Sequence, residues 1–241
     1  STVVRFAIEL GFSGYPKLQK SLQELIKNKL TTVQRLELSS DYITEGHALK
    51  GVLKADMENI RSTMEKIDYN TFEDVVNNIF AAKRIYIIGL RSSMALAEFL
   101  GFYLNIILQN VKTVGYGISD IFEQMINVGE GDLVIGIGFP RYASRTIDAL
   151  AFAQDRGATV VAVTDSFLSP LAARADYSLI AQSNMASFVD SLVAPLSVIN
   201  ALIIAVGMRE KENISSTFNS LEEIWREYNV YSYNNRNVGD D

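Results

Sequence analysis

Cysteine is absent from the 241 residues, which excludes a disulfide scaffold, a thiolate metal site and a cysteine nucleophile, and fits a reducing compartment. A single histidine leaves no basis for multi-histidine zinc chemistry. With only 4 prolines and 15 glycines the chain is neither fibrous nor a low-complexity linker. Long uncharged runs are scarce as well. The one candidate, Ser191 to Met208, reaches only the lower edge of a spanning length and contains Pro195, Ser197 and Asn200, so it reads as a buried core or interface helix. Arg5 and Glu9 interrupt what would be the apolar stretch of a secretory signal. A cytoplasmic protein without a membrane partner is expected.

What is present is an ordinary globular mixture, 48% hydrophobic and 21% charged, sufficient for one large domain or a medium domain plus something smaller. The formal charge of −6 taken alone argues against nucleic acid, but it is unevenly spread. Residues 1–35 carry Arg5, Lys17, Lys20, Lys27, Lys29 and Arg35 against Glu9 and Glu24, and the remainder is strongly acidic. Such asymmetry suits a basic module that meets phosphate joined to an acidic one; a solvated, lysine-rich helix face has the same composition.

The apolar residues Val3, Phe6, Ala7 and Leu10 fall at helical spacing and Gly11 stops the run, a short helix with a glycine end. Gly14, Tyr15 and Pro16 make a turn, after which Leu18, Leu22, Leu25 and Ile26 predict a second helix carrying the lysines. Beyond a polar break at Ser39, Ser40 and Asp41, the residues Leu53, Met57, Ile60, Met64 and Ile67 form a seam for a connecting helix, packed either on a partner or on its own domain. From Thr71 the pattern changes. A capped helix from Thr71 to Ala82 precedes five apolar runs: Arg84 to Gly89, Lys112 to Tyr116, Asp132 to Gly138, Thr159 to Thr164 and Tyr177 to Ala181. Helical stretches near Ser93 to Leu108, Ile118 to Asn127 and Ser144 to Arg156 separate the first four, and a short turn at Pro170 to Ala173 precedes the fifth. Continuous Val and Ile runs alternating with helices predict an α/β fold, a doubly wound five-stranded parallel sheet flanked by helices, its ligand crevice at the strand carboxyl ends.

The first strand ends in Gly89, Leu90, Arg91, Ser92 and Ser93 and runs directly into a helix, which gathers free amides and two hydroxyls at a helix amino terminus. Ser92 could equally serve only as the cap. A dinucleotide fingerprint would need glycines where Arg91 and Met94 stand, and after the third strand Arg141 occupies the last glycine position. There Arg141 and Arg145 flank Ser144, and a guanidinium fork suits a phosphate or carboxylate; Arg145 could instead lie on the helix surface and pair with Asp148. His47, far in sequence from the crevice, is expected at the surface. Glu98, set among Ala97, Phe99 and Leu100, is a candidate buried base or a partner for a basic residue across an interface, and Asp120, Glu123 and Asp165 follow strand ends within reach of a sugar hydroxyl.

The runs STVVRFA (Ser1 to Ala7) and LGFSGYPKLQ (Leu10 to Gln19) resemble the end of the helix-turn-helix domain of RpiR/MurR-type bacterial transcriptional regulators, and the remainder is similar to the sugar isomerase (SIS) domain that follows it in that family. The resemblance implies an incomplete helix-turn-helix module at 1–38, a connecting helix at 39–68, an SIS phosphosugar-binding domain at 69–228 and a flexible tail at 229–241. It implies that Ser1 to Leu10 is the recognition helix, with Ser1, Thr2 and Arg5 near DNA and Ser13, Tyr15 and Lys17 near its phosphates. Because the chain opens on Ser1 in a helical pattern without a start signal, the natural protein is expected to extend upstream. In the SIS fold the loops after the first and third strands hold the phosphate of a phosphosugar. Gly89, Ser92 and Ser93 match the first; the second departs from the usual S-x-S-G-x-T, offering Arg141, Ser144 and Arg145 in place of the hydroxyls. The implied partners are a phosphorylated sugar or sugar-acid effector, operator DNA in the full-length protein, and a second copy of the chain through the connecting seam or the Leu192 to Met208 helix. No cofactor, metal or catalytic residue is expected. The alternative is a phosphosugar isomerase or lyase with Glu98 or Asp120 in the crevice.

Overall fold

The computed structural model describes residues 2–19, 22, 30–39 and 47–232. Each of the five apolar runs forms a strand: β1 Ile85–Ile88, β2 Val111–Val114, β3 Leu133–Ile137, β4 Thr159–Thr164 and β5 Tyr177–Ile180. They pair in the order β2-β1-β3-β4-β5, all parallel, with Ile88 of β1 level with Val114 of β2 and Gly136 of β3. Since side chains alternate across a strand, Ile85 and Ile87 enter one core and Tyr86 and Ile88 the other.

Both faces are therefore covered by helices. In chain order the main described helices, not all of them on the sheet, are α1 Thr2–Glu9, α2 Thr32–Ser39, α3 Ala48–Lys66, α4 Tyr69–Ala81, α5 Met94–Leu108, α6 Ile121–Gln124, α7 Ser144–Gln154, α8 Val193–Arg209 and α9 Lys211–Glu227. Val75, Val76 and Ile79 of α4, Leu96, Leu100 and Leu104 of α5, and Ile199, Leu202 and Val206 of α8 cover the Ile87 face. Ile121 of α6 and Ala149, Leu150 and Ala153 of α7 cover the Ile88 face. The uncharged run ending at Met208 is thus a core helix laid against α5, and among the described residues no single helix is long and apolar enough to cross a membrane.

Local chemistry shifts several predicted boundaries. Asp68 caps α4, accepting from the Thr71 amide at 3.0 Å and the Thr71 hydroxyl at 2.7 Å, so that helix begins at Tyr69 rather than Thr71. Asp120 and Glu123 close a capping box that starts α6 at Ile121, and the helix spans Ile121–Gln124 rather than Ile118 to Asn127. The connecting helix α3 starts at Ala48, upstream of its apolar seam, and ends before Ile67. It rests on its own domain through a polar face: Asn59 Nδ2 donates to the Asn184 carbonyl at 2.9 Å, Asn59 Oδ1 accepts from the Asn184 amide at 3.1 Å, and Thr63 Oγ1 accepts from the Gln182 amide at 2.8 Å. The seam residues Leu53, Met57, Ile60 and Met64 stay exposed, Met57 at 71%.

Two helices, α2 and α9, lie where the sequence reading places no element. The predicted lysine-bearing helix is described at residues 15–19 and 22; its continuation through Leu25 and Ile26, the break at Ser40 and Asp41, and the tail from 233 lie outside the described residues.

Candidate functional site

In the order β2-β1-β3-β4-β5 the chain leaves β1 toward one edge and β3 toward the other, so a crevice opens where the carboxyl ends of β1 and β3 diverge. Two turns form its floor. After β1, Gly89 lets the chain fold back onto a single 3-10 turn, Arg91–Ser93, that runs into α5. A Cβ at Gly89 would sit 2.7 Å from the Ser93 carbonyl oxygen, which no side chain permits. After β3, the buried Phe139 and Pro140 lead to Arg141 and the start of α7. Arg91 and Arg141 hold φ of 58° and 63°, left-handed conformations that favour glycine. Strain of this kind, about 1–3 kcal/mol per residue, gathers at ligand sites, and here one instance lies in each turn.

The two turns, Tyr116 after β2, Phe188 to Asp190 in the segment between β5 and α8, and Arg35 of α2 surround a cavity of about 560 Å³. That volume suits a small metabolite. Among the described lining residues, four arginines (Arg35, Arg91, Arg141 and Arg145) face a single carboxylate, Asp190. The charged side chains of the lining are thus mostly cationic.

Each cation is held differently. Arg35 is 2% exposed and its Nη1 donates to Asp190 Oδ1 at 2.9 Å, while its Nε and Nη2 are buried without a hydrogen-bond partner. Arg141 Nη1 donates to Thr32 Oγ1 of α2 at 2.6 Å. Arg145 is paired with Asp120 and lies over the Phe122 ring, 5.1 Å from its centroid. Beneath them the Tyr142 hydroxyl donates to Asp165 Oδ1 at 2.7 Å. Burial raises the Asp165 carboxyl above its usual range against the opposing bond from Tyr142, and burial together with the Asp165 charge pushes the Tyr142 phenol up. Burial also raises Asp190, more than the Arg35 charge lowers it.

Of the residues predicted from sequence, Ser92, Ser93, Arg141, Ser144 and Arg145 line the cavity, and Gly89 shapes it from beneath. Arg145 does lie paired at the surface, with Asp120 in place of the anticipated Asp148. Glu98 is exposed and belongs to a separate groove beside β2, so the expected buried base is overturned: it stands on the outer face of an otherwise apolar helix. Asp120, Glu123 and Asp165 do not line the cavity; Asp120 and Glu123 are occupied by the capping box of α6. His47 is exposed just ahead of α3. Thr2, Arg5, Ser13, Tyr15 and Lys17 are all exposed in and after α1, and Ser1 lies outside the described residues.

Among the lining residues that sequence reasoning missed are Arg35 and Asp190. Asp190 did carry a signal, since the segment after β5 is also a carboxyl-end loop. Arg35 carried none: it was one basic residue among six, and its partner lies 155 positions away.

Comparison with known proteins places this geometry. The SIS domain model matches residues 78–205. An uncharacterized HTH-type transcriptional regulator of Haemophilus influenzae is 28% identical over 225 residues, covering 90% of this chain and 76% of its own. The sugar isomerase domain of an RpiR transcription factor from Sphaerobacter thermophilus superposes with a TM-score of 0.70 at 30% identity, covering 73% of this chain and 99% of that one. The Vibrio vulnificus NanR protein, solved in complex with ManNAc-6P, shares the fold with a TM-score of 0.62 at 19% identity, over 94% of this chain and 81% of that one.

Proposed function

Because this chain belongs to the SIS-domain family and its curated relatives are HTH-type transcriptional regulators, we propose that it is the sensing part of a bacterial regulator of sugar metabolism whose crevice takes a phosphorylated sugar or sugar acid. The observation that carries this reading is the convergence of four arginines and the Ser92–Ser93 turn on one cavity at the topological switch point. The phosphate is assigned to Gly89, Ser92 and Ser93, where a helix amino terminus offers free amides, and to Arg141, Ser144 and Arg145 across the crevice. A phosphosugar bound in a neighbour of the same fold agrees with that ligand class.

DNA contact is assigned to Ser1, Thr2, Arg5, Ser13, Tyr15 and Lys17 within a helix-turn-helix module at 1–38, acting in the full-length protein, with 39–68 as connector, 69–228 as sensor and 229–241 as tail. Operator affinity would then fall steeply with salt, because phosphate contacts dominate it. Two copies are proposed to associate, α3 contributing Leu53, Met57, Ile60 and Met64 to the contact.

Regulation is preferred to isomerase or lyase chemistry because the carboxylate beside the cavity, Asp190, is committed to Arg35, and because Glu98 and Asp120 stand outside it. Calorimetric titration with a panel of sugar phosphates and sugar acids tests the reading. Saturable binding without turnover is expected, weakened tenfold or more by Arg141→Ala, equivalent to ~1.4 kcal/mol. The absence of binding across the panel would overturn it.

A further inference from the structure

Thr32 and Arg35, three positions apart, share one face of α2, and that face lies on the effector cavity: Thr32 meets Arg141, and Arg35 meets Asp190. A guanidinium is a planar fork of five donors that cannot lose its charge. Buried as deeply as Arg35, it demands partners, and each buried donor left without one is costly. Asp190 engages Nη1 alone. The two nitrogens without partners, Nε and Nη2, form the side-on edge of the guanidinium, the edge that takes two oxygens of one phosphate or carboxylate in parallel. Arg35 lines the same cavity as Ser92, Ser93 and Arg141, so an anion held by those turns would have this edge beside it.

We propose that Arg35 is an effector ligand supplied by the amino-terminal arm, and that anion binding fastens α2 to the sensor domain. The proposal rests on the cavity being the effector site and adds how occupancy reaches the arm. Bound anion completes the hydrogen bonding of Arg35, so the docked position of α2 is favoured when the cavity is filled. Reciprocity then requires that anything pulling α2 away weakens the anion. The segment between β5 and α8 takes part from the other side: it carries Asp190, and it is tied to α3 through Asn59, Thr63 and the bond from Ser191 Oγ to Asp56 Oδ1 at 2.6 Å. The cavity is thus bordered by one group that answers to α2 and another that answers to α3, two of the described helices that precede the sensor.

The test uses the full chain with inorganic phosphate and with glucose 6-phosphate as probes, combining calorimetry with amide hydrogen exchange resolved over residues 30–39 and over the Arg91–Ser93 turn. In the wild type, saturating probe is expected to slow exchange in both segments. Arg35→Gln is expected to weaken binding at least tenfold and, at saturation, to protect the Arg91–Ser93 turn while leaving residues 30–39 at their unliganded rate. Asp190→Asn, which keeps the shape and removes the negative charge that opposes an anion in the cavity, is expected to bind the probe severalfold more tightly. It serves as a second route if Arg35→Gln fails to fold. Wild-type affinity in Arg35→Gln, or protection confined to the turn in the wild type, would sink this proposal and leave the effector site intact. No binding of either probe to any form, with none from the wider panel, would sink the effector reading and this proposal with it.

Discussion

At the scale of single residues the crevice is a set of trade-offs between closeness and charge. Gly89 is the clearest: any Cβ collides with backbone rather than with a movable side chain. Gly89→Ala is expected to lower stability by about 1–3 kcal/mol in chemical denaturation and to weaken anion binding in the same step, because the turn that offers the amides must open. Asp165 gives a pH signature. Its folded-state carboxyl is raised mainly by burial, so as pH falls the folded protein takes up this proton before the unfolded chain does. The ionised form therefore burdens the fold at neutral pH, and the burden is gone below the ordinary value of 3.8. Asp165→Asn, which still accepts from Tyr142, is expected to melt higher than wild type near neutrality, the gap narrowing as pH falls into the carboxyl range; a gap that widens on acidification would refute this. The same scale shows why the site was partly legible. Ser92, Ser93, Arg141 and Ser144 stand directly after parallel strands, where ligands bind in such folds, whereas Arg35 becomes visible only through its contact with a residue 155 positions away.

At the scale of elements, strands proved easier to read than short helices. The runs of β1, β3 and β4 declared themselves because both faces of a parallel sheet are buried there, so nearly every residue in them is apolar, whereas the edge strand β2 exposes Lys112 and Thr113. The eight-residue α2 exposes Val33 and Leu36 and owes its position to Thr32 and Arg35, a polar docking that hydrophobic periodicity does not register. The connecting helix shows the same effect at greater length. Its apolar seam was legible and stays exposed, while Asn59 and Thr63, unremarkable in sequence, supply its attachment to the 182–191 segment. Asn59→Ala leaves both backbone groups of Asn184 without their partner and is expected to cost ~1–3 kcal/mol. Since that segment carries Asp190, anion affinity should change along with stability; Ala substitution at the exposed Glu58 next to it should change neither.

At the scale of the molecule, an acidic α/β domain and an amino-terminal region of basic sequence are joined by a helix with an exposed apolar stripe. Sedimentation is expected to show a dimer at micromolar concentration, and Leu53→Asp combined with Met57→Asp should shift it toward monomer with the melting temperature of each copy little changed. The Arg35–Asp190 pair also orders events in time. The two residues are separated by 155 positions, so at ribosomal speeds of about 5–20 residues per second the arginine is made roughly 8–31 s before its aspartate. During that interval the arm has no sensor to dock on, and its guanidinium remains in water. Newly made molecules therefore pass through an undocked stage, and the Arg35–Asp190 contact forms only after the last strand of the sheet has been made.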